Sequence, residues 1–193
     1  MSNETAKLAI SASIKVKAQL LDDDKLMDQV SNLALKCVAA LNAGGKIMFC
    51  GNGGSFADAQ HLSAELTSRF LFDRPGLASV ALGTNSSAMS AIGNDYGYEN
   101  VFSREIEAIG SPKDILFAIS TSGSSNNILN AIDAATLKGI HSVVMTGQTR
   151  GRVGPEIETL NIPSRDTARI QECHILIGHI ICEIVESTIY GNH

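Results

Sequence analysis

Apolar positions along the chain fall first in a helical rhythm and then in short blocks. Leu8, Ile10, Ile14, Val16 and Leu20–Leu21 form one stripe, interrupted by Asp22–Asp24. Leu26, Val30, Leu33, Leu35, Val38 and Leu41 form a second, ended by Asn42 and Gly44–Gly45. Spacings of this kind predict two helices, an α-hairpin, over roughly the first 43 residues. From Lys46 the rhythm changes. Lys46–Cys50, reading KIMFC, is a short apolar run bounded by glycines, the pattern of a strand buried on both faces. Further strands are predicted at Ser79–Leu82, Asp114–Ser120, Ser142–Thr146 and Thr159–Ile162. Helical patterns fall between them at about Ser55–Phe70, Ala88–Ala91, Val101–Ile109 and Asn126–Lys138, with a long final helix at Thr167–Tyr190. Strands alternating with helices predict an α/β fold with a five-stranded parallel sheet covered by helices on both faces. No repeat, low-complexity tract or linker divides the chain, so one domain over 1–193 is expected, with 1–45 as a helical extension.

Composition narrows the class. The chain has 193 residues, 44% hydrophobic and 18% charged, enough for one real core and unlike a disordered chain. Fifteen basic against 20 acidic side chains give a net charge of −5, which argues against a nucleic-acid surface built on general electrostatics. Cys37, Cys50, Cys173 and Cys182 make no C-x-x-C pair and read as small buried residues. The N-terminal segment lacks a secretory pattern. The most apolar stretch, Ile175–Ile184, is broken by Gly178, His179 and Glu183. A cytoplasmic chain with reduced thiols and no membrane span is expected.

Two strand-to-helix turns carry the first candidate chemistry. Gly51-Asn52-Gly53-Gly54-Ser55 follows KIMFC, and Ser120-Thr121-Ser122-Gly123-Ser124-Ser125 follows DILFAI. In open α/β sheets, ligands bind at the carboxyl ends of strands, and helix N-termini offer unpaired N–H groups to anions. The first turn lacks the third glycine of a dinucleotide fingerprint and the G-K-[ST] of a P-loop, which disfavours a dinucleotide-dependent oxidoreductase. The second, with five hydroxyls in six residues, is the better phosphate cradle. Two helices add polar candidates. His61 and Glu65, at i and i+4, share a face of the helix that begins at the first turn. The last helix sets Gln171, Glu172, His174, His179 and Glu183 among isoleucines, where polar groups need partners. His61, Glu65, Gln171 and one histidine of the last helix form a candidate metal set. Spacing alone does not choose between His174 and His179.

Taken together, these motifs resemble the sugar isomerase (SIS) domain family, and within it the enzymes of seven-carbon sugar phosphates. The matching segments are Cys50–Ser55, Ala57–His61 with Glu65 and Arg69–Phe70, Asp73–Pro75, Ala91–Tyr98, Ser120–Gly123, and Arg169–Glu172 with His179. Phe56, where the family often has a small residue, is a departure beside the first turn. The resemblance implies a flavodoxin-like three-layer αβα sandwich. It implies an aldose–ketose isomerase that converts sedoheptulose 7-phosphate to D-glycero-D-manno-heptose 7-phosphate through an enediol, the first step towards ADP-heptose and the lipopolysaccharide core. It assigns substrate contacts to Asn52, Gly53, Gly54, Ser55, His61, Glu65, Asn94, Asp95, Ser120, Thr121, Ser122, Ser125 and Gln171. It assigns one Zn²⁺ per subunit to His61, Glu65, Gln171 and His179, with Glu65 and His179 as the acid/base pair, and leaves His174 structural. It further implies a homotetramer with sites between subunits. The competing class within the same family is a non-enzymatic regulator of replication initiation that works by binding protein. Such a regulator is expected to keep the phosphate turns and lose the acid/base residues, whereas this chain has both Glu65 and His179.

Overall fold

A computed structural model describes residues 2–191. Helices α1 (Ser2–Leu21) and α2 (Asp24–Asn42) form the expected hairpin, with Asp23 capping α2 by accepting the Leu26 N–H at 3.0 Å. Then follow β1 (Ile47–Gly51), α3 (Gly54–Thr67), β2 (Ser79–Ala81), α4 (Ser86–Tyr96), a 3₁₀ turn at Tyr98–Asn100, and α5 (Val101–Ile109). The chain closes with β3 (Ile115–Ile119), α6 (Asn126–Leu137), β4 (His141–Thr146), β5 (Glu158–Asn161) and α7 (Thr167–Tyr190). The strands make one parallel sheet in the order β2-β1-β3-β4-β5, with Phe49 opposite Phe117 and Phe117 opposite Val143.

The central strands are apolar on both faces because both are covered. Ile47, Phe49, Ile115, Phe117, Ile119, Val143 and Met145 point to the layer of α2, α3 and α7. Met48, Cys50, Leu116, Ala118 and Val144 point to the layer of α5 and α6, where they meet Phe102, Ile106, Ile128 and Ala131. The four cysteines are free and buried. By length and composition α7 could cross a membrane, but in this fold its inner face, with Ile170, Cys173, Ile177, Ile181 and Val185, is part of the core.

Two expectations change. The short helix expected at Ala88–Ala91 is the longer α4, capped by the Asn85 carboxamide on the Ala88 N–H at 3.1 Å. Gly93-Asn94-Asp95 reads as a turn in sequence, yet the helix runs through it and stops only at Gly97, whose φ of 87° is left-handed. The stripe on α1 is also less buried than its period suggests. Val16 and Leu20 are covered, whereas Leu8, Ile10 and Ile14 stand 65%, 61% and 62% exposed.

Candidate functional site

Strand order positions the first half of the site. From β1 the chain crosses outward to β2, and from β3 it crosses the other way to β4, so the carboxyl ends of β1 and β3 flank a topological switch point. Both candidate turns border that crevice. Across it, Asn52 and Asn127 exchange hydrogen bonds, Asn52 Nδ2 donating to Asn127 Oδ1 at 2.9 Å and Asn127 Nδ2 to Asn52 Oδ1 at 2.8 Å. The Tyr98 hydroxyl donates to the same Asn52 oxygen at 3.1 Å. Tyr98 lies within the resembling Ala91–Tyr98 segment, but neither it nor Asn127 stood out as a site residue in the sequence. Asn127, next in the polar run after Ser124-Ser125-Asn126, carried the only signal.

The second turn is tied down internally. Buried Ser120 accepts the Gly123 N–H at 3.1 Å through its hydroxyl and again through its carbonyl, and Ser122 Oγ accepts the Ser124 N–H at 3.2 Å. Gly123 has a φ of 59°, a region L side chains rarely adopt. The two helices that start at the crevice differ from α2, α4 and α7 in their caps. The latter are closed by Asp23, Asn85 and Asp166, whereas α3 begins at Gly53 and α6 at Ser125 with no side-chain cap bond. Both present the positive end of a helix to the crevice without a side-chain acceptor, a feature that α5 shares at Asn100. Thr121 and Ser125 complete the rim, and Ser55 is buried beneath it. Phe56, the departure beside the first turn, sets its ring edge 3.2 Å from where a Cβ on Gly83 would stand.

The second half lies down the helices. His61 and Glu65 on α3 meet His179 on α7, with His61 Nε2 2.9 Å from Glu65 Oε1 and 3.4 Å from His179 Nε2. The two imidazoles meet edge to face at 5.0 Å. One proton on His61 Nε2 serves only one of these neighbours well, so the lone pairs converge on a point. The three ligand atoms lie within 4.8 Å of one another, and their N/N/O chemistry fits a divalent cation. Asp58, one turn before His61, adds negative potential; burial pushes its carboxyl upward against the pull of His61 and His179. Glu65 keeps one carboxylate oxygen with no hydrogen-bond partner among the described residues.

Gln171 is not brought to this cluster. Its amide lies over the first turn, 2.6 Å from where a Cβ on Gly54 would stand, and eight residues of α7 put it about 12 Å from His179 along the axis. Asn94 and Asp95 also stand apart: Asn94 donates to Asp95 at 2.7 Å on the exposed end of α4. The choice between histidines is decided by burial. His174 is 1% exposed, shares its Nε2 with the Thr146 carbonyl at 3.2 Å, and has its pKa pushed down to about 4 by burial. It is a neutral core group, and His179 is the one that faces His61.

Comparison with known proteins gives a consistent result. A family described as SIS domain matches residues 14–147. The phosphoheptose isomerase of Aneurinibacillus thermoaerophilus is 48% identical over 98% of this chain and 96% of its own length. Among solved structures, the phosphoheptose isomerase of Neisseria gonorrhoeae superimposes with a TM-score of 0.88 at 39% identity, covering 96% of this chain and 99% of that one. The phosphoheptose isomerase of Francisella tularensis gives 0.90 at 32% identity, covering 97% and 99%.

Proposed function

The chain belongs to the SIS-domain family, among the phosphoheptose isomerases, and on that footing we propose that it interconverts sedoheptulose 7-phosphate and D-glycero-D-manno-heptose 7-phosphate. This aldose–ketose isomerisation is the entry to ADP-heptose. The observation that carries the reading is the convergence of Glu65 and His179 on His61 from two separate helices. A protein-binding regulator has no use for a base and a proton carrier held together.

The chain's residues divide the work. Ser120, Thr121, Ser122 and Ser125, with the open start of α6, hold the phosphate. Asn52, Gly53, Gly54, Ser55 and Gln171 border the sugar, with Asn94 and Asp95 at its outer edge. Glu65 removes the proton from C1 of the ketose, the C1–C2 unit passes through an enediol, and return of that proton at C2 gives the aldose. His179 moves the hydroxyl proton between O1 and O2. Glu65 can act as base through its unbonded oxygen while the other stays engaged with His61. A Zn²⁺ held by His61, Glu65 and His179 would polarise the carbonyl, and Gln171, about 12 Å along α7 from His179, would reach it only from a second copy of the chain.

The same geometry supports an assembly. His61 is seven residues into α3, about 10 Å along the axis from the first turn. A pocket joining the phosphate turns to the histidines is therefore best completed by a second copy, as in a homotetramer with shared sites. The uncovered Leu8, Ile10 and Ile14 on α1 support this, with 1–45 as the extension of a single 1–193 domain that packs in the oligomer. A cytoplasmic enzyme without nucleic-acid or membrane partners fits this chemistry.

The test is incubation of the pure, metal-analysed protein with sedoheptulose 7-phosphate. Aldose product should form, vanish on chelation and return with zinc. No product with any divalent metal would sink the isomerase reading and favour the regulator.

A further inference from the structure

Beyond the histidine cluster, α3 and α7 are joined by an ion pair that the proposed chemistry does not use. Arg74, in the segment after α3, sets Nε 2.9 Å from Oε1 of Glu186 on α7, and the two side chains are 1% and 0% exposed. Glu186 also accepts the Phe70 N–H at 2.8 Å and the Leu71 N–H at 2.7 Å, one on each oxygen. Arg74 gives its remaining donors to carbonyls: Glu65 at 2.8 Å, Leu66 at 2.6 Å, Ser68 at 3.1 Å and Pro75 at 3.0 Å. Every guanidinium nitrogen is committed.

These bonds reach both members of the acid/base couple. Glu65 and Leu66 belong to the last turn of α3, where carbonyls lack helical partners and a cation is favoured. Arg74 thus grips the backbone of Glu65 itself. On the other side, the N–H that Glu186 accepts belongs to Phe70, whose ring stacks on the His179 imidazole at 5.3 Å between centroids and 27° between planes. One buried pair therefore holds the Glu65 main chain and, through Phe70, the His179 ring. Taking both charges out of water is costly, and well-packed apolar residues would join two helices as firmly. What apolar contacts would lack is the directional hold.

We propose that Arg74 and Glu186 are positioning residues of the isomerase site, which with Phe70 set the separation of Glu65 and His179 and the orientation of the imidazole. The proposal rests on the reading of Glu65 and His179 given above. The variants are Arg74→Lys, Glu186→Gln, the apolar double variant Arg74→Met/Glu186→Met, and Phe70→Leu, each in the full chain. Three quantities are read: kcat and KM with sedoheptulose 7-phosphate, zinc affinity by competition with a chromophoric chelator, and the thermal unfolding midpoint. Loss of an orienting partner behind metal ligands costs about 10–100-fold in affinity or activity, so kcat and zinc affinity should each fall by that much. KM should change by no more than about 2-fold, because the phosphate turns lie elsewhere. The double variant leaves the Phe70 and Leu71 N–H groups without their acceptor and should unfold below the wild-type temperature as well as lose kcat, whereas Phe70→Leu keeps those bonds and separates orientation from folding. Should the ion-pair variants not fold, Phe70→Leu decides, since it leaves the pair intact. Folded variants with wild-type kcat and zinc affinity overturn the proposal. A wild-type protein that binds zinc but does not isomerise overturns the functional reading instead, and the zinc affinities still judge the positioning. A wild type that does neither overturns both.

Discussion

The buried histidine of α7 predicts a pH dependence of stability with a defined sign. His174 is enclosed, and burial lowers its pKa from 6.5 to about 4, the Thr146 carbonyl bond opposing the shift. As pH falls below 6.5 the unfolded chain takes up a proton at this position, while the folded chain does so only near 4. The unfolded state therefore binds more protons across that window, and stability declines as pH falls through it. At about 1.4 kcal/mol per pH step, the full interval corresponds to about 3 kcal/mol, a large part of a domain's net stability. The comparison variant is His174→Phe, which keeps a ring in the core. It does not orphan the Thr146 carbonyl, because the Ile162 N–H also donates to it at 3.0 Å. Urea unfolding of both proteins at one concentration, with chelator, at pH 7.5 and pH 4 would measure the effect. Other carboxylates and histidines are common to both and cancel. The wild type should lose about 3 kcal/mol more than the variant. Parallel losses would refute the assignment of His174 as a neutral core residue.

Two further outcomes concern the chemistry. Glu65→Gln and His179→Gln should each lower isomerase turnover at least ~100-fold while unfolding near the wild-type midpoint, since each removes one proton-transfer group; near-normal turnover in either folded protein would take that residue out of the catalytic step. The pair Ser120→Ala and Ser122→Ala should raise KM for the sugar phosphate with a smaller effect on kcat, and an unchanged KM would move the phosphate to another part of the crevice.

How much of this was legible in sequence depends on the range of the interaction. The strands were visible because a parallel strand buried on both faces is a short apolar run between turn residues, as in KIMFC. The length of α4 was not, because Gly93-Asn94-Asp95 is turn-like locally. In the fold, a Cβ at Gly93 would meet nothing within 4 Å, so the residue is a plain helical position. The two histidines of α7 could not be ranked by spacing, since the difference between them is burial, set by packing of α7 on the end of β4. The Asn52–Asn127 exchange spans 75 positions and the Arg74–Glu186 pair 112, so neither leaves a periodic trace.

The phosphate turns raise one last physical question, because neither contains Lys or Arg and the chain carries a net charge of −5. Amides, hydroxyls and helix ends act at short range, and in open water their pull on an anion is weak. The same dipoles become effective where water is excluded and the local dielectric is low. An uncharged cradle therefore calls for enclosure. A single subunit leaves the crevice rim at Asn52, Gly53, Gly54 and Ser122 at least partly exposed, and leaves the histidine cluster about two helical turns away on α3. The proposed shared site meets both needs at once, since a neighbouring copy that covers the rim would also bring a second set of turns to the histidines. Binding of the sugar phosphate should on this account depend on protein concentration in the range where the oligomer dissociates, and a dissociated subunit that binds it with undiminished affinity would contradict the link between enclosure and phosphate recognition.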